Sequence, residues 1–415
     1  MPQVQHVSAK KGDVIVLVGT MKGAFVLRSN GARKKWDVGG PYSIGAPVYA
    51  MAFDQRQGRH RLWWAQQSFR WGTVLCSSDN YGKTITEPET YSVKFPPESK
   101  LALKNIWQIC LSPHEPDTIY CGVEPSALFV SRDAGKTWSA VEGLLNHPHR
   151  PKWTPGGGGM CLHTILPDPV NPKRMFIAMS TGGAYRTDDG GETWQARNEG
   201  VRAEFLPEKY PEFGQCVHKM VQHPARPERL FLQNHWGLYR SDDGGNSWKD
   251  IANGVPSDFG LCMAIHPHDS ETVYNVPIES DEYRCTPEGK LRVYCTRNAG
   301  KNWGALTRGL PQENALETVL RDSMGTDTCD PAGIYFGTRS GKVYASNNDG
   351  KSWQAILEGL PPVVCVRAAW VDAGASASPR RHGDTEKSRA GKKRSGSGPA
   401  SRKKSSASKA RAGKR

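Results

Sequence analysis

Two Cys-x-His segments, residues 161–163 and 216–218, open strand-like runs in matching places along the chain. Each histidine lies six residues before a proline, Pro169 and Pro224, which gives both the same register. Imidazole titrates near neutral pH and is the commonest metal ligand in proteins. If the two runs lie side by side around one axis, His163 and His218 can form a ligand site. His235 follows the next strand-like run and can approach it from the same side.

The hypothesis that follows is a ligand site centred on these histidines, with Glu124 nearby. The predicted ligand-binding residues are His163, His218, His235, Asn234, Arg150 and Lys152. In the alternative interpretation, the imidazoles are satisfied polar side chains that fill a narrow channel. No His-x-x-x-His pair and no neighbouring carboxylate supports a metal by spacing alone. Neither a metal nor another cofactor is therefore predicted.

Acidic residues offer a second kind of chemistry. Glycoside hydrolysis uses a pair of carboxyl groups on either side of the scissile bond. Glu124 can form such a pair with Glu279 or Asp281, and these three are the candidate catalytic residues. No Ser/His/Asp nucleophile motif stands out. A noncatalytic protein that binds a protein, peptide or glycan is the main prediction, and a hydrolase acting on a saccharide is the alternative.

An internal repeat determines which elements position these residues. An eight-residue motif with a hydroxyl residue, Asp or Asn, Gly and Trp recurs at intervals of 50 to 56 residues. Its copies are residues 131–138, 187–194, 241–248, 296–303 and 346–353. A sixth copy, 77–85, has one inserted residue and Ile in place of Trp. A seventh, 29–36, carries Gly31 and Arg33 where Asp and Gly are expected.

Each copy follows three strand-like runs rich in β-branched and aromatic residues, and another short strand begins at the Trp. Four strands per repeat of about 50 residues is the pattern of a propeller blade. Within the motif, Asp or Asn accepts hydrogen bonds in a turn, Gly permits positive φ, and Trp buries its ring between blades. A turn repeated on every blade is structural, so its carboxylates are not predicted to be catalytic or to bind calcium.

The motif Ser-x-Asp-x-Gly-x-Thr-Trp resembles the Asp-box, or bacterial neuraminidase (BNR) repeat, over about residues 14–370. Such repeats occur in sialidases and other glycoside hydrolases, in sortilin-type receptors and in photosystem II assembly factors. The whole chain resembles bacterial proteins described as sialidase-like or glycosyl-hydrolase-like, with typical stretches at residues 155–163, 215–218 and 233–235. The resemblance implies a propeller and, if the protein is an enzyme, a sialidase-like glycoside hydrolase. Sialidase chemistry needs three Arg, a Tyr–Glu pair and an Asp, but the family's Arg-Ile-Pro element is absent.

The chain order predicts how the ring closes. The first repeat lacks an inner strand before residue 14, and an unpaired candidate strand, Val363–Trp370, follows the last motif. We therefore expect this strand to complete the first of seven four-stranded blades. The predicted organisation is an N-terminal extension at 1–13, an all-β propeller at 14–373 and a disordered Lys/Arg/Ser-rich tail at 374–415. Long inter-blade loops at 142–159 and 197–215 share the face on which a polar ligand site is expected.

Charge and cysteine usage set the remaining expectations. The formal net charge is +14, and the tail alone contributes +12, so the high pI does not indicate a basic surface on the fold. The tail predicts at most nonspecific attachment to nucleic acid. The ten cysteines form no Cys-x-x-Cys pair, and no hydrophobic signal segment begins the chain. We therefore expect reduced thiols, a cytoplasmic location, no membrane association and a monomer, with an unidentified glycan, peptide or protein ligand.

Overall fold

Antiparallel strands make up nearly all regular structure in the computed structural model, which describes residues 3–68, 72–87 and 92–372. They form seven sheets arranged in sequence order, each corresponding to one repeat. The predicted tail at 374–415 and its proposed attachment to nucleic acid lie outside the described residues. In the described ranges, no helix has the length and apolarity needed to cross a membrane. All ten cysteines are free thiols.

The first three blades use the N-terminal third of the chain together with the last strand. Blade 1 has the order β27-β1-β2-β3, blade 2 contains β4, β5 and β6, and blade 3 has the order β7-β8-β9-β10 from its inner to its outer edge. In blade 2 an isolated bridge between Ser77 and Thr86 takes the place of the fourth strand. The strands are β1 Val14–Thr20, β2 Gly23–Ser29, β3 Asp37–Tyr42, β4 Val48–Asp54, β5 Arg61–Ser68, β6 Gly72–Ser78, β7 Asn105–Leu111, β8 Ile119–Glu124, β9 Ala127–Ser131, β10 Ser139–Ala140 and β27 Val363–Trp370.

Blades 4 to 7 each contain four consecutive strands. One short helix, α1 Glu142–Leu145, and 3-10 turns at Arg56–Gly58, Pro97–Ser99, Arg150–Lys152 and Pro287–Gly289 lie in the connections. The remaining strands are β11 Cys161–Pro167, β12 Met175–Ser180, β13 Gly183–Thr187, β14 Gln195–Ala196, β15 Val217–His223, β16 Arg226–Asn234, β17 Leu238–Ser241, β18 Lys249–Asp250, β19 Gly260–Ile265, β20 Val273–Pro277, β21 Val293–Thr296, β22 Gly304–Leu306, β23 Met324–Thr326, β24 Ile334–Gly337, β25 Val343–Ser346 and β26 Gln354–Leu357.

The repeated motif forms the turn between the third and fourth strands, as predicted. In blade 3, Asp133 accepts hydrogen bonds from the backbone N–H and the hydroxyl of Thr137 at 2.9 and 2.6 Å. The N–H of Gly135, whose φ is +87°, donates to the Ser131 hydroxyl. The motif's tryptophan joins blades: the Trp248 indole N–H donates to the carbonyl of Arg197 in the preceding blade at 2.9 Å. The turn therefore rigidifies its own blade, and where the motif has a tryptophan, its ring packs against the preceding blade.

The ring closes through the C-terminal strand. Strand β27 pairs antiparallel with β1 from Val14 opposite Trp370 to Thr20 opposite Val363, which confirms the predicted closure and the seven blades. Both strands bury apolar side chains against blades 2 and 7. The N-terminal extension also packs here, since Val7 is buried in the blade 1 core. Closure gives β1 a partner on its inner side, so the first strand of the propeller is not left as an unpaired edge.

The unusual Arg33 of the first motif copy has a role in the same closure. Its φ is +53°, near the conformation that Gly occupies in the other copies. Its guanidinium reaches the Asp327 carboxylate of blade 7 at 3.3 Å and the Pro331 carbonyl at 3.0 Å. Asp327 is fully buried and also accepts a hydrogen bond from the Tyr335 hydroxyl. The departure from the repeat thus replaces a turn glycine with an ion pair between the first and last blades.

Removing β27 should open the ring. A chain truncated after Pro362 is expected to lose cooperative unfolding, because β1 then presents an unpaired edge and blade 1 loses its inner strand. A chain truncated after Asp372 keeps β27 and should unfold in urea like the full-length protein. Circular dichroism and urea titration distinguish the two. A cooperative transition in the shorter chain would contradict the role assigned to β27.

Arg33→Met should lower the free energy of unfolding by about 3 kcal/mol, because it leaves a buried carboxylate without its cation. Arg226→Met is the matched control: Arg226 pairs with Glu228 at the surface, where both side chains are well exposed. Its cost should stay below about 1 kcal/mol. Urea titration of both variants measures the difference. Equal costs would mean that the Arg33–Asp327 pair adds nothing specific to closure.

Candidate functional site

A pocket of about 740 Å³ lies on the propeller axis, on the face that carries the long inter-blade loops. All seven blades contribute to its wall, because inner strands start there and the loops between second and third strands surround it. Aromatic residues in the wall include Tyr49, Trp107 and Trp236. Its charged residues are Glu124, Asp281, Asp322, Arg284, Arg321 and Arg339. The pocket is therefore polar and charged, with aromatic surfaces.

A β-bulge at the start of the inner strands directs side chains toward this pocket. In blades 1 to 6, the register between the innermost strand and its neighbour shifts near the pocket end. A bulged residue has no partner in the ladder, and its side chain is re-aimed. The residues within these shifts include Tyr49, Trp107, His163, His218, Leu261 and Val364. All of these except His163 line the pocket.

His218 lies beside a thiol. Its Nδ1–H donates to the carbonyl of Gly260 at 2.6 Å, and its Nε2 lies 3.5 Å from the Sγ of Cys216. Burial lowers the pKa of His218 well below its ordinary value, so the imidazole is neutral. Burial also raises the pKa of the Cys216 thiol, although nearby Arg321 opposes this shift. The pair is a neutral thiol and a neutral imidazole whose Nε2 lone pair faces the sulfur.

His235 completes this corner of the pocket. Its ring centroid lies 5.4 Å from that of His218, and its Nε2 lies 3.1 Å from Oδ2 of Asp281. Burial lowers the pKa of His235, and the Asp281 carboxylate opposes that shift. Trp236 lies against the same imidazole, with ring centroids 4.3 Å apart. The two histidines predicted to approach each other from consecutive elements of blade 5 do meet.

Glu124 stands on another side of the pocket. Its Oε2 accepts a hydrogen bond from the Trp107 indole N–H at 3.1 Å, and Lys104 lies 3.8 Å from its Oε1. Gly159 packs directly against the carboxylate, with a φ of +86°. A Cβ at this position would collide with the Glu124 side chain. The glycine run at 156–159 thus lets the backbone cross close to an acidic side chain, and no phosphate-loop geometry is involved.

Three arginines reach the pocket without a carboxylate partner. Arg284 donates from Nε to the carbonyl of Asp281, and Arg321 donates to the Ser180 hydroxyl at 3.4 Å. Arg321 also stacks over Trp107, 5.6 Å from the ring centroid, and its Nε is buried without a partner. Arg339 projects from the loop after β24. In the described part of the chain, none of the three forms an ion pair, which leaves positive charge available to an anion.

A buried ion network closes the floor of the pocket. Asp322 Oδ1 lies 2.8 Å from Nζ of Lys219 and 2.6 Å from a guanidinium nitrogen of Arg367. These residues come from the inner strands or strand starts of blades 5, 7 and 1, so the network spans the axis. Burial alone would raise the pKa of the Asp322 carboxyl, but the two cations outweigh it and hold that pKa well below its ordinary value. Asp322 is thus ionised at neutral pH.

Several predicted site residues do not reach the pocket. His163 is fully buried between blades 4 and 5. Its Nε2–H donates to the carbonyl of Val217 at 2.8 Å. Its position follows the alternative interpretation of a satisfied polar residue. The other predicted residues outside the pocket wall are Asn234, which donates to the Arg202 carbonyl; Arg150, which donates to the Ser126 carbonyl and stacks over Trp153; and Lys152 and Glu279, which are exposed.

Sequence reasoning missed several of the residues that line the pocket, chiefly Cys216, Trp107, Arg321 and Asp322. Cys216 belongs to the Cys-x-His segment that was singled out, but only the histidine of that segment was predicted to bind a ligand. Trp107 occupies the inner-strand position in blade 3 that His163 and His218 occupy in blades 4 and 5. Extending the register argument from two blades to all seven would have identified it.

Comparison with known proteins defines the class. The BNR/Asp-box repeat family matches residues 129–140 and 185–196. The chain is 25% identical over 227 residues to the oligoxyloglucan-reducing end-specific xyloglucanase of Emericella nidulans, covering 48% of this chain and 26% of that protein. A probable enzyme of the same description from Neosartorya fischeri is 27% identical over 262 residues, covering 54% of this chain and 30% of its own. The chain thus spans less than a third of these relatives.

Among solved structures, the GH74 enzyme of Niastella koreensis superposes with a TM-score of 0.55 at 14% identity, covering 90% of this chain and 56% of that one. This likeness concerns the fold alone. The protein is a seven-bladed β-propeller built from BNR/Asp-box repeats. Its matched relatives are glycan-acting enzymes, so they support the hydrolase alternative better than the main prediction of a binding protein.

Asp322→Asn should lower the free energy of unfolding at pH 7 by about 3 kcal/mol, because the buried Lys219 and the half-buried Arg367 lose their counter-ion. Since the folded-state pKa of Asp322 is depressed, its stabilisation is present above the ordinary Asp pKa of about 3.9 and is lost as the pH falls below it. The gap to wild type should therefore narrow below about pH 4. Asp258→Asn, which breaks the exposed pair with Arg202, is the control and should cost under about 1 kcal/mol. Urea titrations across pH test both, and a pH-independent gap would contradict the ion-network account.

Proposed function

We propose that this protein is a glycoside hydrolase that acts on a saccharide held in the axial pocket. The observation that carries the proposal is that Glu124 and Asp281 both lie in the wall of one pocket, where, among the residues that the structure describes, neither is bound between two cations as Asp322 is. They come from blades 3 and 6, which stand on different sides of a seven-bladed ring. Hydrolysis of a glycosidic bond needs a carboxylic acid and a carboxylate flanking the bond.

The aromatic surfaces support a sugar ligand. Trp107 and Tyr49 pack together with ring centroids 4.8 Å apart, and both line the pocket. Trp236 and Phe259 line the wall formed by blades 5 and 6. Pockets for small ligands combine apolar faces with a few placed polar groups that fix orientation. Here the Trp107 indole also donates to Glu124, which orients one of the two proposed catalytic carboxylates.

The arginines support an acidic sugar as the substrate. Guanidinium groups bind carboxylates through paired hydrogen bonds, and an unpaired guanidinium in a pocket is prepared for such a group. Arg284, Arg321 and Arg339 are available in this way, and Arg321 and Arg339 lie near Tyr49, as does Glu124. The sialidase-like chemistry implied by the sequence resemblance requires these residue types: three Arg, a Tyr–Glu pair and an Asp. We therefore expect a glycoside that carries a carboxylate.

The test is a panel of fluorogenic glycosides that includes a sialoside, a glucuronide, a glucoside and a xyloglucan oligosaccharide. We expect turnover of an acidic glycoside. Glu124→Gln and Asp281→Asn should each lower kcat/KM by about 10² to 10⁴-fold, the usual contribution of a positioned acid or base. Glu279→Gln is the matched control, because Glu279 is exposed and lies outside the pocket wall. Its kcat/KM should remain near the wild-type value.

Absence of turnover across the panel would overturn the hydrolase proposal. The second candidate is a noncatalytic saccharide-binding protein, which the same unpaired arginines favour. In that case, calorimetry should detect binding of sialic acid or glucuronic acid, and Arg321→Met should abolish it. Turnover that survives in both Glu124→Gln and Asp281→Asn would instead mean that other residues carry the chemistry.

A further inference from the structure

We propose that Cys216, His218 and His235 bind a zinc ion at one side of the axial pocket. One donor atom from each residue lies within 4.8 Å of the other two. In a tetrahedral zinc site, Zn–S bonds of about 2.3 Å and Zn–N bonds of about 2.0 Å place the ligand atoms about 3.3 to 3.8 Å apart. The Cys216 Sγ to His218 Nε2 distance of 3.5 Å already falls in that range. The distances to the His235 donor atom, which are at most 4.8 Å, must shorten to about 3.3 to 3.5 Å when the ion binds.

The hydrogen bonds of both histidines leave one nitrogen free on each ring. His218 donates from Nδ1 to a backbone carbonyl, so Nε2 carries the lone pair that faces Cys216. His235 contacts the Asp281 carboxylate through Nε2, and in the tautomer that donates there, Nδ1 carries the lone pair. Zinc-binding histidines ordinarily donate their second N–H to a carbonyl or carboxylate, which fixes ring orientation. His218 has this arrangement with the Gly260 carbonyl, and His235 has it in the tautomer that donates to Asp281.

The neighbouring blade provides an internal comparison. Residues 161–163 repeat the Cys-x-His tripeptide at the same place in blade 4. There, however, His163 donates from Nε2 to Val217 and its Nδ1 contacts the Thr164 hydroxyl, so both ring nitrogens have partners within the fold. His163 does not line the pocket, whereas Cys216, His218 and His235 all do. The same tripeptide thus fills a protein interior in one blade and presents donor atoms to a pocket in the next.

The charges around the three residues suit a divalent cation. A Cys216 thiolate together with the nearby Asp281 carboxylate would neutralise Zn²⁺, although Arg321 and Arg284 stand close by. The guanidinium groups would therefore face a neutral centre rather than an uncompensated cation. Sulfur and imidazole donors select zinc over Mg²⁺ and Ca²⁺, which take oxygen ligands. With three protein ligands, the fourth position of the ion faces the pocket and is open to water or a ligand anion.

The experiment measures metal content and a spectrum, and needs no substrate. Full-length protein is stripped with a chelator under reducing conditions, reconstituted with Zn²⁺ and desalted, and its zinc is counted by mass spectrometry. Co²⁺ is then substituted, because a cobalt–thiolate bond gives a charge-transfer band in the near ultraviolet. The variants are Cys216→Ser and His235→Gln, with Cys161→Ser as the matched control from blade 4. Circular dichroism verifies folding, and the half-exposed His235 supplies a second variant should Cys216→Ser fail to fold.

We expect about one zinc per chain and a cobalt–thiolate band in wild type and in Cys161→Ser. Cys216→Ser should lose the band, and both site variants should bind zinc at least 100-fold more weakly in competition with a chromophoric chelator. Folded wild-type protein that retains no zinc would overturn the proposal. Stoichiometric zinc in His235→Gln with unchanged affinity would overturn it as well, since the ion would then lie elsewhere. Because no glycoside enters the experiment, its failure is distinguishable from failure of the proposed hydrolase activity.

Discussion

The pairing of β27 with β1 is the contact on which the rest of the structure depends. Seven sheets enclose an axis only if the first and last blades are joined, and here the two ends of the folded chain share one sheet. The closing strand also supplies the axis itself: Val364 lines the pocket and Arg367 binds the buried carboxylate of Asp322. Arg33 adds an ion pair between the first and last blades at the motif turns. The strand that closes the ring therefore also completes the pocket.

The two ends of each blade have different roles in the structure. The Asp-box turn uses a glycine or other residue at positive φ and side-chain hydrogen bonds within the turn, and its tryptophan packs toward the preceding blade. At the other end, the inner strand begins with a bulge, and the bulged residue has no partner in the strand ladder. One end is thus nearly identical from blade to blade, while the other varies from Trp107 to His218 to Leu261. The local sequence determines the turn. The role of the bulged residue depends on which residues of other blades lie near it around the axis.

This difference explains how far sequence reasoning reached. The closing strand Val363–Trp370 was predicted with its observed bounds, because β-branched runs, turn residues and the repeat period are local signals. The meeting of His218 with His235 followed from strand order. The failures have a different origin. His163 turns toward a carbonyl of the next blade, and Arg321 approaches Trp107 across the axis. Such contacts depend on bulge geometry and on residues distant in the chain, which no local pattern encodes.

The bulges have an evolutionary consequence. A residue that forms no ladder hydrogen bond can change its side chain without altering sheet register, so blades 1 to 6 each offer a position that can mutate at little cost to folding. Around the ring, most of these positions face the axial pocket, and the residue at each of them can vary separately. A thiol–imidazole corner in one sector and an indole–carboxylate pair in another can then arise independently. A repeat that is nearly uniform in its turns can in this way supply an asymmetric chemical environment at its centre.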